Sequence, residues 1–185
     1  MVFLKGDYKI GDQSGVYFLT FTVVEWVEVF TRIEYAEIFL NCLNYCVANK
    51  GLIVYSWVLM PNHFHGVMRA REGAKLSDIV RDLKKYSAVK ILEAIQNHRQ
   101  ESRKNWMLWL FKSAAMKRSS NRHFQFWQHG SHPFELYSTK MIDQKISYIQ
   151  SNPVRAGFVN EIHEYRYSSA IDYMGGKGLV KVELA

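Results

Sequence analysis

The sequence predicts an α+β fold in which helices pack on an antiparallel sheet. Three observations carry that prediction. Segments with the two-residue alternation of strands and segments with helical periodicity follow one another in the order strand, helix, strand, strand, helix, strand, helix. The second and third strands are separated only by the turn residues Met60-Pro61-Asn62 and so form a hairpin. The chain has 185 residues, 48% hydrophobic and 22% charged with only three prolines, which suits one self-folding domain and excludes a disordered, collagen-like or disulfide-stapled class.

The first strand is expected over residues 15–24, where Tyr17, Leu19 and Phe21 alternate against Phe18, Thr20 and Thr22; its length suggests a central position. Ala36, Phe39, Leu40, Leu43 and Val47 recur at helical spacing over residues 33–48, and Gly51 supplies a stop. Residues 53–59 and 63–69 are the two hairpin strands. Ile79, Val80, Leu83, Tyr86, Ala88, Val89 and Leu92 form an apolar stripe over residues 76–95, a second amphipathic helix with Ser77 near its N-terminal cap. Residues 124–137 read as one or two short strands and residues 143–152 as a short helix. Leu179 to Leu184 alternate like an edge strand.

The formal charge is +7, which favours a polyanionic partner, nucleic acid first. Most of it sits in residues 97–123, where Arg99, Arg103, Lys104, Lys112, Lys117, Arg118 and Arg122 face a single acid, Glu101. Interleaved with Trp106, Trp109 and Phe111, these residues suit a phosphate backbone with unpaired bases to stack; a solvated helix whose aromatics pack on the domain is the plainer alternative. On the DNA reading, neutralising Arg103, Lys104, Lys117 and Arg118 leaves the fold little changed, and Arg81, Lys84 and Lys85 are the next candidate contacts. Cys42 and Cys46 stand four apart in a helical segment, unlike the two-residue gap of metal knuckles, and read as buried thiols of a reducing compartment. No secretory leader pattern opens the chain and the longest apolar run, residues 16–24, is too short to span a bilayer, so a cytoplasmic protein is expected.

Two short motifs carry possible chemistry. In His63-Phe64-His65, strand alternation puts both imidazoles on one sheet face and Phe64 on the other, so two nitrogens reach one metal ion; alternatively, histidines beside a turn hydrogen-bond the backbone. Over residues 148–157, Tyr148 and Asn152 are one helical turn apart and share a face. Plain punctuation accounts for the same segment, with Asn152 as N-cap, Pro153 as first helical residue and Gly157 as terminator. His129 and His132, near Gly130 and Pro133, offer a spare ligand, a proton shuttle or a phosphate contact, or are surface residues.

Leu59-Met60-Pro61-Asn62-His63-Phe64-His65-Gly66, followed about eighty-five residues on by the 148–157 segment ending in Asn152-Pro153-Val154-Arg155-Ala156-Gly157, resembles the single-tyrosine HUH transposases (IS200-like), and most of all their REP-associated tyrosine transposase branch. Leu76-Ser77-Asp78-Ile79, Lys84-Lys85-Tyr86-Ser87, Phe126-Trp127-Gln128 and Tyr167-Ser168-Ser169-Ala170 resemble family segments in the family's order, so the likeness covers nearly the whole chain. It implies a ferredoxin-like HUH fold over residues 1–185, with a basic insertion at about residues 97–123, longer than compact members need, and a C-terminal tail at about residues 160–185. It also implies that His63 and His65 bind a divalent metal, that Tyr148 is the nucleophile, and that Asn152, where relatives often carry glutamine, completes the metal site. The resemblance suggests a homodimer.

The residue types suit the implied chemistry. A phenol, with a pKa near ~10, is a poor nucleophile at neutral pH until a nearby cation favours phenolate. A metal also neutralises charge on the phosphate during in-line displacement. Two imidazoles and an amide leave the ion its full charge and suit Mg²⁺ or Mn²⁺, with Mn²⁺ favoured by the nitrogens. The expected function is cleavage and rejoining of single-stranded or hairpin DNA through a 5′-phosphotyrosine. A non-catalytic hairpin-binding protein is the alternative, and a metal-dependent hydrolase of small phosphate esters a third reading that leaves Tyr148 unexplained.

Overall fold

The structure, a computed structural model, describes residues 9–117, 123–130 and 132–185. Strands β1 (Tyr17–Thr22), β2 (Leu52–Met60), β3 (His63–Ala70) and β4 (Phe134–Glu135) form one antiparallel sheet in the order β2-β3-β1-β4. β3 lies between β1 and β2, which therefore run parallel to each other, joined through helix α1 (Ile33–Asn49). This split β-α-β arrangement, followed by α2 (Leu76–Asn97), is the ferredoxin-like architecture expected. β1 is central as anticipated, although it ends at Thr22. The chain then makes two short 3₁₀ turns, Val24–Trp26 and Val29–Thr31, before α1.

Strand alternation builds two apolar layers. Leu19, Phe21, Trp57, Leu59 and Phe64 meet Phe39 and Leu43 of α1 and Ile79 and Leu83 of α2 in the main core. On the opposite face Phe18, Val58, Met60 and Val67 meet Ile149 of α4 (Thr139–Arg155). The expectation of helices on one face thus holds for α1 and α2, while α4 crosses the other. Its buried residues Ile146, Ile149 and Pro153 make a narrow stripe that covers only the smaller patch.

α4 is longer than the expected 143–152 segment at both ends. Ser138 caps it by accepting from the Met141 amide. Asn152 and Pro153 do not start a new helix as punctuation would have it; they lie in the last turns of α4, where the buried stripe continues to Pro153. Gly157, in the left-handed region at φ 75°, ends the helix in the role expected of it.

Much of the basic insertion is helix α3 (Lys104–Met116), which buries Met107, Phe111 and Ala114 and leaves Trp106 and Trp109 exposed. Glu101 is a buried carboxylate rather than a diluting surface acid. Its Oε2 accepts from Arg32 Nε at 2.6 Å and Tyr35 Oη at 3.4 Å, and its Oε1 from the Arg103 amide at 3.0 Å and Arg103 Nε at 3.3 Å. Arg103 also donates to the Glu28 carbonyl at 3.0 Å and Thr31 Oγ1 at 3.3 Å. The expectation that Arg103 can be neutralised without cost to the fold is therefore corrected: it anchors α3 to the turn before α1.

Burial works against the Glu101 charge, but the hydrogen bonds from Arg103 and Arg32 outweigh it and hold the carboxyl down to about 2 from the ordinary 4.5. A depressed folded-state value means that this contribution is complete above pH 4.5 and fades as pH falls toward 2. Glu101→Gln is expected to lower unfolding stability at pH 7 by about 2 kcal/mol, because it takes the charged acceptor from two guanidinium groups that are themselves about a third exposed. Urea unfolding at pH 7 and pH 3 checks this, and the gap between the two proteins narrows at the lower pH.

The outer edge of β2 is covered by the chain's own C-terminal residues. The Leu59 amide donates to the Tyr167 carbonyl, Ser169 to Trp57 and Glu183 to Val54, at 2.8–2.9 Å, and Val180 is buried. The edge-like alternation of Leu179 to Leu184 thus serves to shield a strand edge within the chain. α5 (Ala170–Tyr173) lies between the Ser169 and Glu183 contacts. Among the described residues no helix is long and apolar enough to cross a membrane.

Candidate active site

The β3 pairings place His63 opposite Thr22 and Met60, and His65 opposite Thr20 and Val58, on the sheet face that α4 crosses. Phe64 between them enters the main core. The two imidazole centroids are 4.7 Å apart. Tyr148 stands at the middle of α4, one residue before the buried Ile149, and its ring centroid lies 5.6 Å from His65. Phe18 stacks on His65 at 5.1 Å and meets Tyr148 edge-on at 5.9 Å, so an apolar wall fixes both rings while Tyr148 stays 36% exposed.

Hydrogen bonds orient the imidazoles. The Asn62 Oδ1, which can only accept, lies 2.6 Å from His63 Nδ1, so Nδ1 carries the proton and Nε2 presents its lone pair. Thr20 Oγ1 lies 2.8 Å from His65 Nδ1; when the hydroxyl accepts, His65 adopts the same tautomer. This is the second layer of contacts that metal-binding histidines require. Burial pushes the His63 pKa down and drives His65 to about 3, with His63 and Lys145 adding to the effect at His65. Both rings are therefore neutral at pH 7, the state that can ligate.

Asn152 lies one turn beyond Tyr148 on α4, and its Nδ2 donates to the Tyr148 carbonyl at 3.3 Å. Among the described residues no cluster of three or more His, Cys, Asp or Glu side chains is set to hold a metal. The structure brings the two imidazoles together, while the Asn152 amide is bonded back to the Tyr148 carbonyl; two neutral imidazoles fit a divalent ion that keeps water and phosphate ligands.

Two cations escaped the sequence reading. Lys145 Nζ lies 4.6 Å from the Phe18 ring centroid and 5.6 Å from that of Tyr148, and Arg155 Cζ lies 5.7 Å from the Tyr148 centroid. Their positions, three before and seven after Tyr148 on one helix, were the signal that could have found them. Asn62 and Thr20 were likewise missed as partners of the histidines.

The other candidate residues lie apart from this cluster. α2 packs on the opposite sheet face, where Arg81 pairs with Asp78 and Asp82 and Lys85 borders a groove with Cys42, Cys46 and Tyr86. Both thiols are buried as expected, and burial raises Cys46 to about 11. Lys84 donates to the carbonyls of Gln128 and Gly130 at 3.1 and 2.8 Å, and burial lowers it to about 8. Lys117 pairs with Glu25 at 3.1 Å, and Lys104 opens α3. Arg118 and Arg122 lie outside the described residues. His129 and His132 are exposed, His132 at φ 41°.

The family described as "Transposase IS200 like" matches residues 15–114, more than half of the chain, a span that includes both histidines and stops short of Tyr148. Among solved structures, the chain is similar to a REP-associated tyrosine transposase bound to a REP hairpin. The TM-score is 0.64 at 15% identity, covering 97% of this chain and 92% of that one. A provisionally assigned transposase from Deinococcus radiodurans R1 matches with a TM-score of 0.45 at 18% identity, over 82% of this chain and 96% of that one. No match is found among curated proteins. With the HUH transposase fold in place and the family matched across β1 to α3, the chain belongs to the IS200-like transposases.

Proposed function

We propose that this transposase cuts and rejoins single-stranded DNA beside a hairpin or palindromic element through a 5′-phosphotyrosine on Tyr148. The observation that carries this reading is the Tyr148 ring beside His65 and, through it, His63. A pure DNA binder has no physical need for a half-exposed phenol over an oriented imidazole pair. The hairpin bound to the structural relative supports the same substrate class here, and a cytoplasmic setting suits a DNA partner.

The Tyr148 oxygen attacks the scissile phosphorus in line, the bond to the 3′ oxygen breaks, and that oxygen leaves as a 3′-hydroxyl. The new phosphotyrosine retains phosphodiester-level energy, so a 3′-hydroxyl can reverse the step and join strands without a nucleotide cofactor. Lys145 and Arg155, whose cationic groups face the Tyr148 ring, would neutralise phosphate oxygens brought there. His63 and His65 through Nε2, with Asn152 as third donor, would hold Mg²⁺ or Mn²⁺, which when bound adds charge neutralisation and favours the phenolate. Of the proposed DNA contacts, Lys104 and Lys112 stand on α3 with the exposed Trp106 and Trp109, but α3 packs into the core on the α2 side of the sheet and would hold DNA away from Tyr148; Arg81, Lys84, Lys85, Arg103 and Lys117 already have partners within the chain or likewise lie off the Tyr148 face.

The test is incubation of the protein and Mn²⁺ with 5′- and 3′-labelled single strands carrying a hairpin, read on a denaturing gel. A protein–DNA adduct with release of the 3′-hydroxyl fragment is expected. Binding with neither adduct nor cleavage would make this a hairpin-binding protein, and cleavage without adduct would favour metal-activated water. Thr20→Val is expected to weaken Mn²⁺ affinity by about 10–100-fold, because it removes the hydroxyl bonded to His65 Nδ1 that holds the ring in orientation. Calorimetric Mn²⁺ titration measures this independently of activity.

A further inference from the structure

On the far side of Trp26 from His63 is an open pocket of about 380 Å³, bordered by Glu25, Trp26, Lys117, Gln125, Gln128 and His129. That volume falls within the roughly 300–1,000 Å³ of small-ligand sites. Its most prominent wall is the Trp26 indole, 59% exposed, whose centroid lies 6.0 Å from His63. An indole this exposed contributes little to the core, yet the backbone is bent to present it. Glu25 and Trp26 both lie in the left-handed region, at φ 53° and 55°, which non-glycine residues rarely enter and hold only when their surroundings impose it.

The surroundings that impose it are the supports of the candidate active site. Asn62, whose Oδ1 orients His63, donates through Nδ2 to the Trp26 carbonyl at 3.4 Å, and the Val23 amide donates to the Asn62 carbonyl at 2.9 Å. The far wall is braced as well. The Gln128 amide donates to the Thr22 carbonyl at 2.7 Å, the Val24 amide to the Phe126 carbonyl at 2.9 Å, and Lys84 holds the Gln128 and Gly130 carbonyls. Gln125 and Gln128 donate their side-chain nitrogens to the carbonyls of Trp127 and Val23, at 3.2 and 3.5 Å, and keep their amide oxygens as acceptors. Rings therefore run in series from Trp26 through His63 and His65 to Tyr148, with neighbouring centroids 6.0, 4.7 and 5.6 Å apart.

We propose that this cavity is a nucleobase pocket: one unpaired base next to the scissile phosphate stacks on Trp26 and turns its polar edge toward Gln125, Gln128 and the Glu25 carboxylate. The inference rests on the single-strand cleavage reading above and adds a positioning element to it. A stacked base anchored to the same Asn62 scaffold as His63 sets where the adjacent phosphate falls relative to Tyr148. The wall offers acceptors at the Gln125 and Gln128 amide oxygens, while the Glu25 carboxylate is paired with Lys117 at 3.1 Å, so both an acceptor and a donor are in reach of the base edge.

The experiment uses the full chain and a hairpin with a single-stranded flank, in which each flank nucleotide in turn is replaced by an abasic residue. With the wild-type protein, one position near the cut is expected to cost about 10–100-fold in affinity. Trp26→Ala should lose that factor on the intact strand and show no further loss at the same abasic position, while Trp26→Phe should retain most of it. Mn²⁺ affinity of Trp26→Ala, measured by calorimetry, should match the wild type, which separates stacking from a general collapse of the turn. A Trp26→Ala protein with the wild-type abasic profile overturns the pocket while leaving strand cleavage standing. A wild-type protein that forms no adduct with the intact strand overturns the cleavage reading itself. If it still shows the Trp26-dependent abasic loss, the pocket survives as a binding site.

Discussion

The Tyr148→Phe protein is expected to bind the hairpin substrate and to form no covalent adduct with it under any metal or pH condition. The phenylalanine ring keeps the edge contact with Phe18 and the place beside His65, so the α4 face is preserved and only the attacking oxygen is removed. Hairpin affinity should change by less than about tenfold, the most that loss of one neutral hydrogen bond produces. Adduct yield should fall below detection, because a covalent route without its nucleophile has no partial form. A denaturing gel of labelled strands beside a native binding assay measures both. Persistent adduct would assign the nucleophile to another tyrosine and detach the histidine cluster from the chemistry.

His63→Ala is expected to stop cleavage by a different route, and the two variants separate on rescue. It removes one of two imidazoles and leaves Tyr148 untouched, so the loss concerns how firmly a divalent ion is held. Loss of a partner behind a ligand costs about 10–100-fold in affinity, and loss of the ligand itself should cost at least as much. Millimolar Mn²⁺ should therefore restore part of the adduct in His63→Ala and none in Tyr148→Phe. The measurement is adduct yield against Mn²⁺ concentration. Identical curves for wild type and His63→Ala would remove His63 from the metal site.

The local parts of this protein were legible in its sequence because they depend on near neighbours. The hairpin at Met60-Pro61-Asn62 follows from turn chemistry and two flanking apolar runs. The shared face of His63 and His65 follows from strand alternation, and the burial of Cys42 and Cys46 from helical periodicity. Tyr148 was singled out by its motif, although it is one of eleven tyrosines. Charge was read less well. Seven cations against one acid over residues 97–123 looked like a uniform surface, but Glu101 is buried and Arg103 is bound to it. Composition counts charges and cannot say which of them lie within 4 Å of each other.

By itself the sequence determined the order of the strands and of α1, α2 and α4 and the residue types of the candidate site, since these are written in patterns of period two or three to four, while the ferredoxin-like topology was implied by the family resemblance. Only the tertiary structure decided that α4 crosses the sheet face opposite α1 and α2 and so sets Tyr148 beside His65, about eighty residues away in the chain. It alone brought Asn62, Thr20, Lys145 and Trp26 to the two histidines. The physical reason is that a helix stripe specifies that something apolar must cover it, whereas the choice of surface depends on the shape and area of every other element competing for the same core.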